Sequence, residues 1–198
     1  LSGGFELVSS GGTASGTVVS GGAFQVIWAG GSASGTVVSS GGELDVNGTA
    51  SGTVVSGGGF EVVSAGGTAI GATLSGGLLK IKTGGTVAGT IAFSSAGGTL
   101  QLDDSQHFAS ASALISGFGP LGGIDLTDIS FGSSTTLAYA CDETSGTLTV
   151  SDGTHTATLI LLGQYQMANF TAQGDGHGGT LITDPAVLVQ PTVTQPHT

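Results

Sequence analysis

Through the first half of the chain a unit of about nineteen residues recurs six times: a glycine pair, a short stretch of alternating character, a second glycine pair, and a stretch close to Thr-Ala-Ser-Gly-Thr-Val-Val. The units start at Gly3, Gly21, Gly41, Gly57, Gly76 and Gly97, so successive spacings are 18, 20, 16, 19 and 21 residues. In the first stretch, Phe5, Phe24, Leu44, Phe60, Leu79 and Leu100 form one apolar column, and Leu7, Val26, Val46, Val62, Ile81 and Leu102 form another two positions on. Between them stand Glu6, Gln25, Asp45, Glu61, Lys80 and Gln101. Side chains of a strand alternate between its faces, so this pattern predicts strands with both apolar columns inward and the polar column facing water.

The second stretch repeats Ala14, Ala33, Ala50, Ala69 and Val87 in one column and Val18, Val37, Val54, Thr73 and Ile91 in another. Its small residues imply a narrow interior. Gly16, Gly35, Gly52, Gly71 and Gly89 form a column of their own. Glycine inside a strand costs stability, so this column predicts a bend or a close backbone approach. A unit this short cannot bury its apolar face alone and must stack on its neighbours, as solenoid repeats do. The expected fold is all-β: a parallel β-solenoid of glycine-rich rungs of about nineteen residues over residues 1–102.

After Leu102 the repeat stops. Asp103 to His107 is a polar break, and Phe108 to Ile115 reads as a short helix or an irregular rung. Strands are expected near Gly123–Ile129, Thr136–Tyr139, Thr147–Val150, Ala157–Leu162 and Gly179–Ile182, with turns at Ser145-Gly146, Asp152-Gly153 and Gly174–Gly179. The open end of a solenoid needs a cover, and residues 103–185 are placed to be a C-terminal β cap. The tail, 186–198, reads as extended. Leu1 occupies the rung position of Val19, Val38, Val55 and Leu74, which predicts a repeat cut in mid-rung and a longer parent protein.

Composition agrees with a packed fold. The 39 glycines among 198 residues could suggest low complexity, but 38% hydrophobic residues in phase-locked columns argue against disorder. Glycine does not recur every third residue and there are only four prolines, which excludes collagen. Two basic residues against thirteen acidic ones give a net charge of −11, so nucleic acid is not expected as a partner and an anionic lipid surface is disfavoured. No apolar run approaches the ~20 residues of a spanning helix, so no direct membrane insertion is expected. Cys141 has no disulfide partner and reads as a small, partly buried hydrophobe. Lys80 aligns with Glu61, which predicts a cross-rung ion pair.

The phrase Ser10-Gly11-Gly12-Thr13-Ala14-Ser15-Gly16-Thr17-Val18-Val19-Ser20-Gly21-Gly22 and its copies resemble the strand-loop-strand repeats of AIDA-type adhesin autotransporter passengers. That resemblance covers about residues 1–102 and implies a secreted or surface-displayed bacterial solenoid, adhesive or stalk-like. It also implies that repeat hydroxyls carry sugars, the matching positions being Ser15, Thr17, Ser34, Thr36, Ser51 and Thr53. The second half does not resemble a translocator barrel. Ile115-Ser116-Gly117-Phe118, Ile124 to Ile129, Gly146 to Gly153, Leu161-Leu162-Gly163 and Phe170 are instead similar to the C-terminal regions of type I secreted exoproteins, whose tails carry an uncleaved export signal. The calcium-binding nonapeptide that usually accompanies such tails is missing.

Candidate chemistry is sparse. Gly174-Asp175-Gly176-His177-Gly178-Gly179 holds one carboxylate where calcium needs six to eight oxygens, so it reads as a turn. Asp103, Asp104, Asp125 and Asp128 read as turn and solvent residues. The acids of the polar column sit on different rungs, and His107, His155 and His177 have no nucleophile motif, so no catalytic, metal or cofactor residues are expected. Trp28 could present its ring to a glycan. These readings converge on a non-enzymatic rod whose partners are cell-surface glycans or further copies of itself end to end. The alternatives are a non-catalytic scaffold of a larger polysaccharide-active enzyme, or a carbohydrate-binding module.

Overall fold

The computed structural model describes residues 1–111 and 113–184; the tail reading lies outside the described residues. Glycine turns cut the first half into strands β1 (Phe5–Val8), β2 (Thr13–Ser15), β3 (Val18–Val19), β4 (Phe24–Ile27), β5 (Ser32–Ser34), β6 (Val37–Val38) and β7 (Glu43–Val46). They continue as β8 (Thr49–Ser56), β9 (Phe60–Val63), β10 (Thr68–Ser75), β11 (Leu78–Ile81), β12 (Thr86–Phe93) and β13 (Gly98–Leu102). A 3₁₀ helix over Ser105–Ala111 occupies the polar break. Then come β14 (Leu114–Ser116), β15 (Gly122–Leu126), β16 (Thr136–Cys141), β17 (Ser145–Ser151), β18 (Thr156–Leu162), β19 (Thr171–Gly174) and β20 (Thr180–Thr183).

The chain winds into a β-solenoid of about five turns. One wall is a nine-stranded sheet in the order β1-β4-β7-β9-β11-β13-β15-β20-β19. The opposite, eleven-stranded wall runs β16-β17-β18-β14-β12-β10-β8-β5-β2, with β3 and β6 beside it. Pairing is parallel from β1 through β15 on the first wall and from β2 through β14 to β18 on the second. The parallel ladder therefore runs one rung beyond Leu102, where the sequence repeat has faded. Antiparallel hairpins then finish both walls, β20 and β19 on β15, and β17 and β16 on β18. Larger rings fill this end: Phe118 lies between Phe93 and Phe170, and Tyr139 and Tyr165 pack on Phe170.

Register departs from the expected columns on the first wall. Its strands pair Phe5 with Phe24, Glu43, Phe60, Leu78 and Thr99, and Glu6 with Gln25, Leu44, Glu61, Leu79 and Leu100. The inward columns are Glu6-Gln25-Leu44-Glu61-Leu79-Leu100 and Val8-Ile27-Val46-Val63-Ile81-Leu102. In rungs one, two and four the expectation is thus off by one residue, which sends every side chain to the other face. Phe5, Phe24, Phe60 and Leu7 face solvent, whereas Gln25 and Glu61 are sealed inside. The physical cause is the narrow interior: across from these strands stand Ala33, Ala50 and Ala69, all buried, and a cavity of that width accepts an aliphatic chain or a flat polar one more readily than a phenyl ring.

On the second wall the alanine column is inside as expected. Val18, Val37, Val54 and Thr73 point outward, and the interior is completed by Thr36, Thr53, Ala72 and Ile91 and by Val19, Val38, Val55, Leu74 and Phe93. The glycine column makes the bend between these stretches. Gly52 has φ 61°, and a Cβ placed there would meet nothing within 4 Å, so conformation and not close approach demands the glycine.

Candidate interaction face

The outer surface of the nine-stranded wall carries two columns. One is Phe5, Phe24, Glu43, Phe60, Leu78 and Thr99; the other is Leu7, Val26, Asp45, Val62, Lys80 and Gln101. Parallel pairing puts each residue one rung, ~4.8 Å, from its neighbour. Phe5 is 64% exposed, Leu7 48%, Phe60 45% and Phe24 43%. Single exposed hydrophobes need no explanation, but Phe5, Leu7, Phe24 and Val26 adjoin on the first two rungs of one wall, and an apolar patch of that kind marks a contact surface. Glu43 and Asp45 interrupt it at the third rung. At the fifth, Lys80 pairs with Asp103 at 3.0 Å, not with Glu61, because the register places Glu61 on the inner side. Trp28 follows β4 at the corner and is 59% exposed.

Behind this face runs a polar ladder inside the solenoid. The Glu6 carboxylate accepts hydrogen bonds from Gln25 Nε2 at 2.7 Å and from the Thr17 hydroxyl at 3.0 Å, and the Thr36 hydroxyl donates to Gln25 Oε1 at 2.9 Å. Leu44 breaks the ladder. Beyond it Glu61 is fully buried, and its carboxyl oxygens make no well-formed hydrogen bond although the Thr53 hydroxyl stands beside them. Burial pushes its pKa from 4.5 up to about 8, the Thr53 hydroxyl beside it easing little of that cost. Glu61 is therefore a neutral acid at pH 7.

The six repeat hydroxyls divide by face. Ser15 and Ser34 are exposed and Ser51 half-exposed on the outer side, while Thr36 and Thr53 are buried and Thr17 is engaged with Glu6. A sugar cannot be carried on Thr36 or Thr53 in the folded rung, because the hydroxyl lies inside the wall. Cys141, on edge strand β16, is exposed and not partly buried as expected.

The remaining acids mostly serve their own turns. Asp175 Oδ1 accepts from the backbone N–H of His177 at 2.7 Å and of Gly179 at 2.9 Å. Asp152 accepts from Ser130, Thr154 and His155 backbone N–H groups at 3.0, 2.8 and 2.7 Å, which holds its carboxyl far below the usual range. Asp125 accepts from Gln101 at 2.9 Å, Asp128 from the Ser105 N–H at 2.9 Å. His107 contacts Asp104 at 2.7 Å, which raises the histidine pKa. These two residues border a cleft of about 320 Å³ between the 3₁₀ helix and the Lys82–Thr86 corner. Among the described residues no three His, Cys, Asp or Glu side chains converge to hold a metal, and no helix is long and apolar enough to cross a membrane.

Sequence reasoning missed the aromatic face, although its signal was present: FELV, FQVI and FEVV each end in two consecutive aliphatics, so either register alternates. The chain matches no known protein family and no curated protein.

Proposed function

We propose that this chain is a non-enzymatic structural or adhesive segment of a bacterial secreted or cell-surface protein, a stiff rod that meets its partners through the outer face of the nine-stranded wall. The observation that carries the reading is the exposed alignment of Phe5, Leu7, Phe24 and Phe60 on an unbroken parallel ladder. Each rung hydrogen-bonds both neighbours through its backbone, which makes the rod hard to bend and leaves proteases few loose loops. Sugars, where present, belong on Ser15, Ser34 and Ser51, whose side chains point outward. The test is intact mass spectrometry of the full-length protein from the medium and surface of its native host. A long product with its C-terminus intact, bearing sugars on the outward serines, supports export through the tail. An unmodified intracellular product refutes export.

The aromatic character of the face favours a second reading, carbohydrate binding, because pyranose rings stack on exposed aromatic rings. Phe24 opens β4 and Trp28 follows its last residue, so two exposed rings stand at opposite ends of one strand. A glycan array probed with wild type, Phe24→Ala and Trp28→Ala distinguishes the two: no signal from the wild type removes it.

A further inference from the structure

We propose that the cleft between the 3₁₀ helix and the Lys82–Thr86 corner binds a sugar acid, a single uronate-type ring whose carboxylate pairs with Lys82 and whose hydroxyls bond the uncovered backbone beside it. The site is separate from the outer columns of the nine-stranded wall, and it holds or fails independently of the rod reading.

The cleft exists because one corner of the stack is left uncovered. In the regular rungs glycine turn sits on glycine turn, and the N–H groups of Gly11 and Gly66 donate to the Gly30 and Gly84 carbonyls of the next rung at 2.8 and 2.9 Å. After β13 the chain leaves through Asp103 and the 3₁₀ helix instead of a glycine turn. The Gly84 N–H, at the same ladder position, therefore has no backbone acceptor among the described residues. The strand that follows is uncovered for the same reason: β10 pairs with β12 from Thr86 to Phe93, whereas β14 covers only Thr90 to Ala92. Thr86 and Val87, which line the cleft, thus present an unpaired strand edge, and unpaired backbone groups take partners.

Ile81, Val87 and Phe108, all buried, give the cleft an apolar floor, which suits the C–H face of a sugar ring. A volume of about 320 Å³ lies at the small end of ligand sites and fits one ring. Charge then selects the acid. Of the two lysines, Lys80 is held by Asp103 at 3.0 Å, whereas Lys82 lines the cleft and forms no ion pair among the described residues. Asp104, the one acid in the lining, is already held by His107 at 2.7 Å. With His107 protonated the lining is net positive on a chain of net charge −11, and a carboxylate matches it. The charged groups facing His107 are Asp104 on its own helix, Asp128 from the loop after β15, and Lys82 across the cleft. The hydrogen bond to Asp104 and the two carboxylate charges raise its pKa above 6.5, so the imidazolium persists to higher pH than in a free histidine.

The test is an NMR titration of the ¹⁵N-labelled full chain with sodium glucuronate, glucose and sodium acetate. Glucuronate is expected to shift the Gly84, Gly85 and His107 amides with a dissociation constant of about 1–10 mM, and the other two to bind at least about fivefold more weakly. Lys82→Gln should weaken glucuronate about fivefold or more, while Lys80→Gln and Trp28→Ala stay within about twofold of wild type. Lowering the pH from 8 to 6 should tighten binding about threefold, and His107→Gln should remove that dependence. Amide shifts away from the cleft report that each variant is folded. No shift at about 100 mM glucuronate overturns the proposal. So do glucose or acetate bound as tightly as glucuronate, a folded Lys82→Gln that binds like wild type, a pH dependence that survives His107→Gln, or shifts confined to the surroundings of Phe24 and Trp28.

Discussion

Replacing Glu61 by leucine should stabilise this protein, and by an amount that grows with pH. The column already holds Leu44 on one side and Leu79 on the other, so the new side chain enters a setting built for it. Glutamate there is protonated in the folded chain up to about 8 but ionises near 4.5 once unfolded. Below pH 4.5 both states are neutral, and the native side chain costs only its unmade hydrogen bonds, about 1–3 kcal/mol. From 4.5 to 8 the unfolded state releases the proton first, so stability falls by ~1.4 kcal/mol per pH unit. At pH 7 the titration penalty is then about 3 kcal/mol, and above pH 8 it levels off at roughly 5 kcal/mol. Guanidinium denaturation of wild type and Glu61→Leu at pH 4, 7 and 9 measures it, since every other titrating group cancels in the difference. An equal gain at pH 4 and pH 9, or a loss at pH 7, would refute both the buried placement of Glu61 and the register that causes it.

Three further outcomes follow from local geometry. A Cβ added at Gly59 would lie 2.5 Å from the Val38 carbonyl oxygen, so Gly59→Ala should abolish or severely lower the thermal transition; Gly52→Ala, facing open space at positive φ, should cost about 1–2 kcal/mol. Asp152→Ala leaves three turn N–H groups without their acceptor and should lower the melting temperature at neutral pH. Because the Asp152 pKa is depressed, that difference should fade as pH falls below the ordinary carboxylate value of 3.8, and a difference that persists there counts against the turn assignment. Cys141 should react with a maleimide in the native protein as fast as in the denatured one; slow native labelling would return it to the partly buried class.

The parallel stacking, the repeat length and the alanine column were legible because all three are period statements, and periods survive misplacement of individual residues. Two of the three cap turns were legible, since Asp152 and Asp175 carry turn chemistry in their own side chains, whereas Ser145-Gly146 opens β17 and the turn before it is held by Asp142. The face of each strand was not. In FEVV, counting back from the corner puts glutamate inside, whereas reading hydrophobicity puts phenylalanine inside, and only the width of the interior decides. Strand β19 was missed because Thr171–Gly174 has little apolar content and owes its place to pairing with β20. The extra rung formed by β14 and β15 was hidden by the 3₁₀ helix and the loop that separate them from the regular repeat.

The antiparallel hairpins that close both walls give the stack a polarity. At the capped pole β17 and β20 run against the direction of the rungs, and β16 and β19 turn back to run with it as the outermost strands. At the opposite pole β1 and β2 still present the spacing of the parallel ladder. The two ends of the described stack therefore differ in kind: hairpin edges stand at one, a parallel rung at the other.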